Sequence, residues 1–255
     1  MAAHRAIAVL GTKGAPGATT VAIRLATDLA THGGGAALVD LDPEGGDVVA
    51  YLGLDPKRNL FTLAHLTASR GMRIEDLRAE GHDAGDRVFA LTGLPRREMS
   101  EDIPPSFVAD LVEILLGSFA FVVCDVGRNT AVPLVSPILD RAALVLLVAR
   151  ADLVGIWNAE RTLAALSPKL RDRTSLVVCR MRRAESAREV AAALGRPLAG
   201  VVPFDAVEAR RATFEQRPMR GRCVRALKRV ARELAADESP PTGEPQRSAS
   251  VEAVA

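Results

Sequence analysis

Gly11-Thr12-Lys13-Gly14-Ala15-Pro16-Gly17-Ala18-Thr19-Thr20 is the stretch that decides the fold of this chain. An apolar run over residues 6–10 precedes it, and a run with helical periodicity over residues 21–29 follows it. A strand, a glycine-rich turn and the N-terminus of a helix together form a site for anions. Backbone N–H groups converge there, and the helix dipole favours negative charge. We therefore predict a phosphate-binding loop.

The loop differs from the common phosphate-binding motif at one position. That motif reads G-x4-G-K-[ST]. Here its last three residues are Gly17, Ala18 and Thr19, so alanine replaces the usual lysine. Lys13 precedes them and is one of only four lysines among the 33 lysine and arginine residues of the chain. The scarcity of lysine favours a functional role for the one inside the loop.

The composition is that of an ordinary soluble globular protein, with 48% hydrophobic and 25% charged residues. There is no apolar run of about 18 residues, so we expect no transmembrane helix. The residues before the first apolar run lack the features of a secretory signal, and we expect a cytoplasmic location. The three cysteines are widely spaced and predict neither a zinc site nor a disulfide framework.

Strand-like apolar runs alternate with helical runs along most of the chain. This alternation predicts a three-layer α/β fold with a mostly parallel central sheet flanked by helices. We expect one domain over residues 1–236 and a disordered tail over residues 237–255, which has no core-forming pattern. The predicted strands are residues 5–10, 36–41, 87–94, 119–124, 142–149, 174–179 and 198–202. The predicted helices are residues 19–31, 48–54, 60–68, 74–79, 107–116, 152–166, 185–194, 204–213 and 222–236, and residues 133–139 are predicted to form a short helix or a loop.

Aspartates lie at the C-terminal ends of two of the predicted strands. Asp40 and Asp42 lie at the end of the second strand, and Asp125 directly follows the fourth. Ligands of open α/β sheets bind at the carboxyl ends of the strands. In P-loop nucleotidases a loop Ser/Thr and an aspartate at a strand end hold Mg²⁺. Thr19 and Asp125 occupy these two places, which predicts a nucleotide site that uses magnesium.

Taken in order, the motifs resemble those of the MinD/ParA family of P-loop ATPases. Residues 12–20 are similar to the family's deviant Walker A motif, K-G-G-x-G-K-T-[TS], and residues 39–46 to its switch I segment, D-x-D-P-x-G. Residues 122–125 are similar to the strand that opens switch II, and residues 198–205 to the L-x-G-x-[IV]-P-x-D segment near the adenine. The resemblance covers about residues 6–234 and implies a P-loop NTPase fold.

The resemblance implies a switch that uses ATP and Mg²⁺ and forms a nucleotide-dependent homodimer. Lys13 would reach phosphates across the dimer interface and Asp42 would position the hydrolytic water, so both are candidate catalytic residues. The implied role is spatial organisation, such as positioning, DNA partition, or pilus or secretion localisation, with a protein partner or cargo complex. The cofactor-binding candidates are Gly14, Ala15, Gly17, Ala18, Thr19, Thr20, Pro203 and Asp205, and the candidate magnesium ligands are Thr19, Asp40 and Asp125.

Departures from the family pattern predict weak or absent ATP hydrolysis. Ala18 removes a charge-assisted contact to phosphate worth about 1.5–3 kcal/mol. Cys179 stands where many relatives have an asparagine that reads the adenine. The degenerate loop resembles that of the CpaE/TadZ branch, whose members localise pilus assembly.

Two alternative functions remain open from the sequence. The first is a non-enzymatic scaffold that has the fold and binds no nucleotide. The second is an NAD(P)-binding Rossmann oxidoreductase, because Gly11, Gly14 and Gly17 follow a strand and Asp40 ends the next one. The short-chain version of that enzyme needs a Tyr-x3-Lys pair, and the only tyrosine, Tyr51, lacks the lysine.

The basic segment from Arg217 to Arg232 has three possible interpretations. Its helix combines an apolar stripe with basic residues elsewhere, which favours a helix packed on the sheet with a solvated basic face. Non-specific contact with DNA phosphates is the second interpretation. An interfacial membrane helix is the third and the least favoured, because the stripe has no aromatic residue. We expect Trp157, on an earlier helix, to lie in the core or at an interface.

Overall fold

The computed structural model describes residues 5–14, 16–181 and 185–236. Within these residues eight strands form one sheet in the order β3-β4-β2-β5-β1-β6-β7-β8. All neighbouring strands are parallel except β3 and β4, which are antiparallel. The strands are β1 (Arg5–Gly11), β2 (Ala36–Asp40), β3 (His82–Asp83), β4 (Val88–Leu91), β5 (Phe121–Asp125), β6 (Leu144–Arg150), β7 (Thr174–Met181) and β8 (Leu198–Pro203).

Helices cover both faces of the sheet, so the predicted three-layer α/β fold is confirmed. They are α1 (Ala18–Ala30), α2 (Val48–Leu52), α3 (Leu60–Thr67), α4 (Ile74–Glu80), α5 (Pro105–Ser118), α6 (Ser136–Arg141), α7 (Leu153–Ala165), α8 (Pro168–Asp172), α9 (Glu185–Ala193), α10 (Ala206–Phe214) and α11 (Arg222–Ala236). Two 3₁₀ helices, Arg97–Asp102 and Pro133–Val135, complete the described elements.

Strand β1 shows why the apolar runs in the sequence are continuous. Its residues Ile7 and Val9 belong to the core on the face of the sheet that carries α1 and α11. The alternate residues Ala8 and Leu10 belong to the core on the other face, which carries α5 and α6. Because both faces are covered, every residue of such a strand must be apolar.

The predicted elements are confirmed to within a few residues at most boundaries. Three short elements were not predicted: β3, α8 and the 3₁₀ helix Arg97–Asp102. The 3₁₀ helix lies in a segment whose charge and prolines predict a loop. All three elements are too short to show a hydrophobic period. The predicted tail, residues 237–255, lies outside the described residues.

The strand order argues against the Rossmann oxidoreductase interpretation. In the dinucleotide-binding fold the first two strands are neighbours, in the order 3-2-1-4-5-6. Here β5 lies between β1 and β2, so the strand that ends in Asp125 separates the loop strand from the strand that ends in Asp40. The register pairs Asp40 directly with Asp125. The acidic strand ends are therefore adjacent, beside the loop.

Helix α11 packs on the sheet, as the first interpretation of the basic segment expects. Val224, Leu227 and Val230 are buried, so the apolar stripe has no access to a membrane surface. No helix of the described residues is long and apolar enough to cross a membrane. The exposed basic residues of the helix are Arg222, Arg225, Lys228, Arg229 and Arg232.

Trp157 does not lie in the core. Its side chain on α7 is 60% exposed, so the core interpretation of this residue is wrong. The helix turns its small residue Ala159 and Leu163 toward the sheet instead. A place for Trp157 at an interface stays a prediction.

Candidate functional site

The loop between β1 and α1 has the backbone geometry of an anion site. Gly17 precedes α1 with φ 99° and ψ 30°, a left-handed conformation that favours glycine. Gly14 also has a positive φ, 106°. Among the described residues no side chain caps the N-terminus of α1, and its first turn has no acidic residue. The first N–H groups of α1 are therefore available to an anion. Ala15, a cofactor-binding candidate, lies outside the described residues.

A cleft of about 300 Å³ opens over this loop, and we call it the loop cleft. Thr12 lines it, and the hydroxyl oxygen of this residue is buried and has no hydrogen-bond partner among the described residues. A buried hydroxyl of this kind is usually satisfied by a partner, so the cleft is suited to a polar ligand. The lining residues are Gly11, Thr12, Gly14, Pro16, Gly17, Ala18, Thr19, Thr20, Asp42, Asp47, Tyr51, Asp125, Gly127 and Arg128.

Thr19 and Asp125 meet in the loop cleft as the sequence predicts. The Thr19 side chain forms a hydrogen bond with the Asp125 carboxylate, and the Gly127 N–H donates to its Oδ1 at 3.2 Å. Burial, with smaller contributions from the charges of Asp42 and Asp47, raises the pKa of Asp125 to about 6. A cation beside this carboxylate would offset the cost of its buried charge.

Asp40 lies beneath the β2–α2 loop (residues 41–47) and does not line the loop cleft. Its Oδ1 accepts from the N–H of Asp42 at 3.2 Å, and its Oδ2 accepts from the N–H of Val48 at 3.0 Å. A Cβ built on Gly46 would lie 2.4 Å from Oδ2, so the loop closes tightly over the carboxylate. Burial and the charge of Asp125 raise the pKa of Asp40 well above its usual range. Of the three candidate magnesium ligands, Thr19 and Asp125 line the loop cleft, and Asp40 lies next to Asp125 in the sheet without lining it.

Asp42 is half-buried and lines the loop cleft. It accepts from the N–H of Glu44 at 2.9 Å, which fixes the turn after β2. Its carboxylate rests on Gly127, where an added Cβ would lie 2.3 Å from the Asp42 Cγ. Burial raises the pKa of Asp42 above its usual value. The β2–α2 loop and the β5–α6 loop (residues 126–132) therefore touch at this point.

Lys13 is exposed and is not among the residues that line the loop cleft. Its backbone carbonyl accepts from the side-chain amide of Asn158 on α7, at 3.4 Å. Of the two candidate catalytic residues, the structure brings Asp42 into the cleft and leaves Lys13 outside it.

A second, largely apolar cavity of about 180 Å³ adjoins the loop cleft, and we call it the apolar cavity. Pro16, Gly17 and Thr20 line both spaces, so the two are neighbours, and we call them together the groove. Pro203 and Asp205, predicted near the base, line the apolar cavity. A flat aromatic ring suits such a space. Its other lining residues are Val21, Arg24, Cys179, Val202, Phe204, Ala209, Met219 and Leu227.

The family model for the CobQ/CobB/MinD/ParA nucleotide binding domain, CbiA, matches residues 7–218. The chain belongs to the CbiA family. This match covers the loop, all three candidate aspartates and the segment that contains Pro203 and Asp205. The resemblance drawn from the motifs is thereby confirmed at the level of the family. A comparison with curated protein sequences gives no match.

Solved structures of MinD and ParA proteins have the same fold. A ParA family ATPase from Chlorobium tepidum TLS superposes with a TM-score of 0.80 at 18% identity, over 90% of this chain and 99% of that one. MinD from Pyrococcus horikoshii OT3, complexed with Mg-ADP, superposes with a TM-score of 0.75 at 22% identity, over 92% of this chain and 99% of that one. A chain of the MinC:MinD cell division protein complex of Aquifex aeolicus superposes with a TM-score of 0.70 at 18% identity, over 94% of this chain and 99% of that one. At these identities the likeness concerns the fold.

The residues of this CbiA domain fit magnesium only together with a ligand. The described residues contain no group of three or more His, Cys, Asp or Glu side chains that could hold a metal by themselves. Magnesium is usually bound through one or two carboxylates, with water and substrate phosphates as further ligands. Thr19 and Asp125 match that partial set.

Sequence reasoning missed several residues of the groove. Asp47 and Arg128 line the loop cleft. Each directly follows a glycine in a loop whose aspartates are already site candidates, and this position in the sequence could have indicated them. Arg24, Met219 and Leu227 line the apolar cavity, and no local motif marks them because they come from distant parts of the chain.

Proposed function

We propose that this CbiA-family protein binds ATP with Mg²⁺ in the groove and acts as a nucleotide-dependent dimerising switch in spatial organisation. Positioning of a complex, DNA partition, and pilus or secretion localisation all belong to this class. The observation that carries the proposal is that the two parts of the groove adjoin. The uncapped N-terminus of α1 thus lies beside an apolar cavity large enough for part of a base.

ATP would place its phosphates on the loop and its base in the apolar cavity. The N–H groups at the start of α1 would donate to phosphate oxygens, with Gly14 and Gly17 allowing close approach. Thr19 and Asp125 would hold the magnesium ion, whose charge stabilises the phosphates. Pro203 and Asp205 would lie beside the base.

Hydrolysis would be slow or absent. Ala18 offers no charge to the phosphates where the common motif has lysine, and such a charge matters most in the transition state. Asp42 stands at the edge of the loop cleft, where it could position water. Burial raises its pKa, which makes its carboxylate a stronger base than that of an ordinary exposed aspartate.

Dimerisation would use the face that carries Lys13. Next to this lysine, α7 exposes Leu153, Val154 and Trp157 by 82%, 62% and 60%. Clusters of exposed large apolar side chains mark association surfaces. A second copy on this surface would bring its Lys13 toward the groove of the first, which agrees with the exposure of that side chain here.

A contact with DNA is a second element of the proposal. The exposed face of α11 carries five basic residues, of which Arg229 pairs with Glu233, and Arg217 nearby is neutralised by Glu208 and Glu215. The face suits phosphates in a non-specific manner, and such binding weakens steeply as salt increases.

Calorimetric titration with Mg-ATP tests nucleotide binding directly. We expect saturable binding, which Ala18→Lys strengthens; Ala18→Gln, of similar length without charge, serves as the control. The absence of binding at about 1 mM Mg-ATP, where even a weak site of about 4 kcal/mol is half filled, would favour the non-enzymatic scaffold.

A further inference from the structure

The loop cleft has an unfavourable charge balance for a polyphosphate. Asp42, Asp47 and Asp125 line it, and the position of the usual lysine is Ala18. Among the described residues that line this cleft, Arg128 carries the only positive charge. A magnesium ion would offset part of the excess negative charge. The phosphate oxygens farthest from that ion would still need a cationic partner.

Arg128 is placed to serve as that partner. It directly follows Gly127 in the β5–α6 loop, and its side chain is 53% exposed. Its closest acidic contact is the Glu44 carboxylate, at 3.9 Å from Nη2 to Oε2. This distance is longer than a hydrogen bond, so the guanidinium is only loosely held. Its charge also acts on Asp42, whose pKa it lowers against the stronger effect of burial.

Other cations near the loop are less suitable. Lys13 does not line the cleft. Arg150 lies beside Gly14, where its Nη1 would be 3.5 Å from an added Cβ, but its guanidinium is paired with Asp152 and it does not line the cleft. Arg97 pairs with Glu44 at 3.4 Å from outside the cleft.

We infer that Arg128 supplies the phosphate-binding positive charge that the loop has lost at position 18, and that Glu44 competes with the phosphates for it. The inference rests on the proposed function, because it names a residue of the same nucleotide site. A guanidinium binds phosphate oxygens in a bidentate manner, which suits a cation that approaches from the side of the cleft. Phosphate binding would then pull directly on the β5–α6 loop and release Glu44.

The first test compares Arg128→Ala with Arg97→Ala by calorimetric titration with Mg-ATP and AMP. Both changes remove one arginine that neighbours Glu44, but only Arg128 lines the cleft. We expect Arg128→Ala to weaken Mg-ATP binding by about tenfold to a hundredfold, the range of one charge-assisted contact. The same change should weaken the binding of AMP much less, because AMP lacks the outer phosphates. Arg97→Ala should lower the affinity far less, because Arg97 can act only through its ion pair with Glu44, and Arg128→Lys should recover part of the affinity.

The second test uses double variants. If Arg128 replaces the lysine, then Arg128→Ala should cost much less in a protein that already carries Ala18→Lys. Glu44→Gln should strengthen Mg-ATP binding in the wild type and have a smaller effect in Arg128→Ala, because the competing partner is then absent. Equal effects of Glu44→Gln in the wild type and in Arg128→Ala would contradict a competition between Glu44 and the phosphates for Arg128.

The outcomes separate this inference from the proposed function. If the wild type binds Mg-ATP and Arg128→Ala matches Arg97→Ala, the role of Arg128 is overturned and nucleotide binding stands. If the wild type shows no binding, both are overturned. Thermal unfolding of the two arginine variants identifies any loss of fold, which we do not expect from exposed side chains.

Discussion

The two halves of the groove differ in what they are made of. The loop cleft is formed by three segments that each follow a strand of the sheet, after β1, β2 and β5, and it concentrates the charged groups. The apolar cavity is formed by α1, β7, β8, α10 and α11 and is mostly hydrocarbon. The replacement at Ala18 changes the first half and leaves the second untouched. Affinity for the base and handling of the phosphates can therefore vary separately in this fold.

Gly127→Val should have the largest effect, because it disrupts the close contact on which the loop cleft depends. Gly127 has φ 62°, and an added Cβ would collide with the Asp42 carboxylate. We expect a loss of about 3–5 kcal/mol in the free energy of unfolding. Gly117→Ala is the matched control, because Gly117 lies in α5 with open space around it and should gain up to about 1 kcal/mol. Chemical denaturation measures both, and equal effects would refute the importance of the contact.

Asp125→Asn should show that the loop cleft is built at a cost in stability. The folded pKa of Asp125, about 6, exceeds its unfolded value of 3.8. Between these values the folded state holds a proton that the unfolded state releases, so the free energy of unfolding falls as the pH rises through this window. Above pH 6 the raised pKa of Asp125 lowers the free energy of unfolding by about 3 kcal/mol.

The asparagine should remove this loss of stability. We expect Asp125→Asn to be about 2–3 kcal/mol more stable than the wild type at pH 7.5, with a flatter profile between pH 4 and 6. It should also weaken the effect of magnesium on ATP binding. Asp42→Asn, at a half-buried site, should change the profile less. If the free energy of unfolding depended on pH in the same way in the wild type and in Asp125→Asn, the raised pKa of Asp125 would be contradicted.

Ala209→Trp tests whether the halves are separable. Ala209 is exposed on α10 and lines the apolar cavity, so a tryptophan there should obstruct the base without unfolding the protein. We expect Mg-ATP binding to weaken about tenfold, or 1.4 kcal/mol, while tripolyphosphate binding stays unchanged. Ala206→Trp, on the same helix outside the cavity, controls for the added bulk. A parallel loss of both ligands would show that the groove acts as one unit.

Lys13→Ala should have the smallest effect on the isolated subunit, since this side chain belongs to neither half. Mg-ATP affinity at low protein concentration should stay within about twofold, as for most exposed substitutions. Self-association with Mg-ATP, followed by sedimentation, should decrease. Lys57→Ala removes an exposed lysine elsewhere and should change neither. A large loss of affinity in the monomer would place Lys13 at its own phosphates.

Much of the fold and of the loop cleft could be predicted because their signals are local. The apolar strands β1, β5 and β6 are continuous runs, and Asp125 and Thr19 mark their own positions in short motifs. Asp40 was identified at the correct strand end, but its burial beneath Gly46 depends on the closure of the β2–α2 loop. Met219 and Leu227 reach the apolar cavity only through the packing of the chain after β8, which no local pattern encodes. The exposure of Trp157 likewise depends on which face of α7 meets the sheet.

A crystal structure of the protein grown with Mg²⁺ and a non-hydrolysable ATP analogue tests the central claim most directly. We expect the phosphates on the N–H groups at the start of α1, magnesium beside Thr19 and Asp125, and the base in the apolar cavity near Pro203. An empty groove at saturating ligand, or a nucleotide bound elsewhere, would contradict the account.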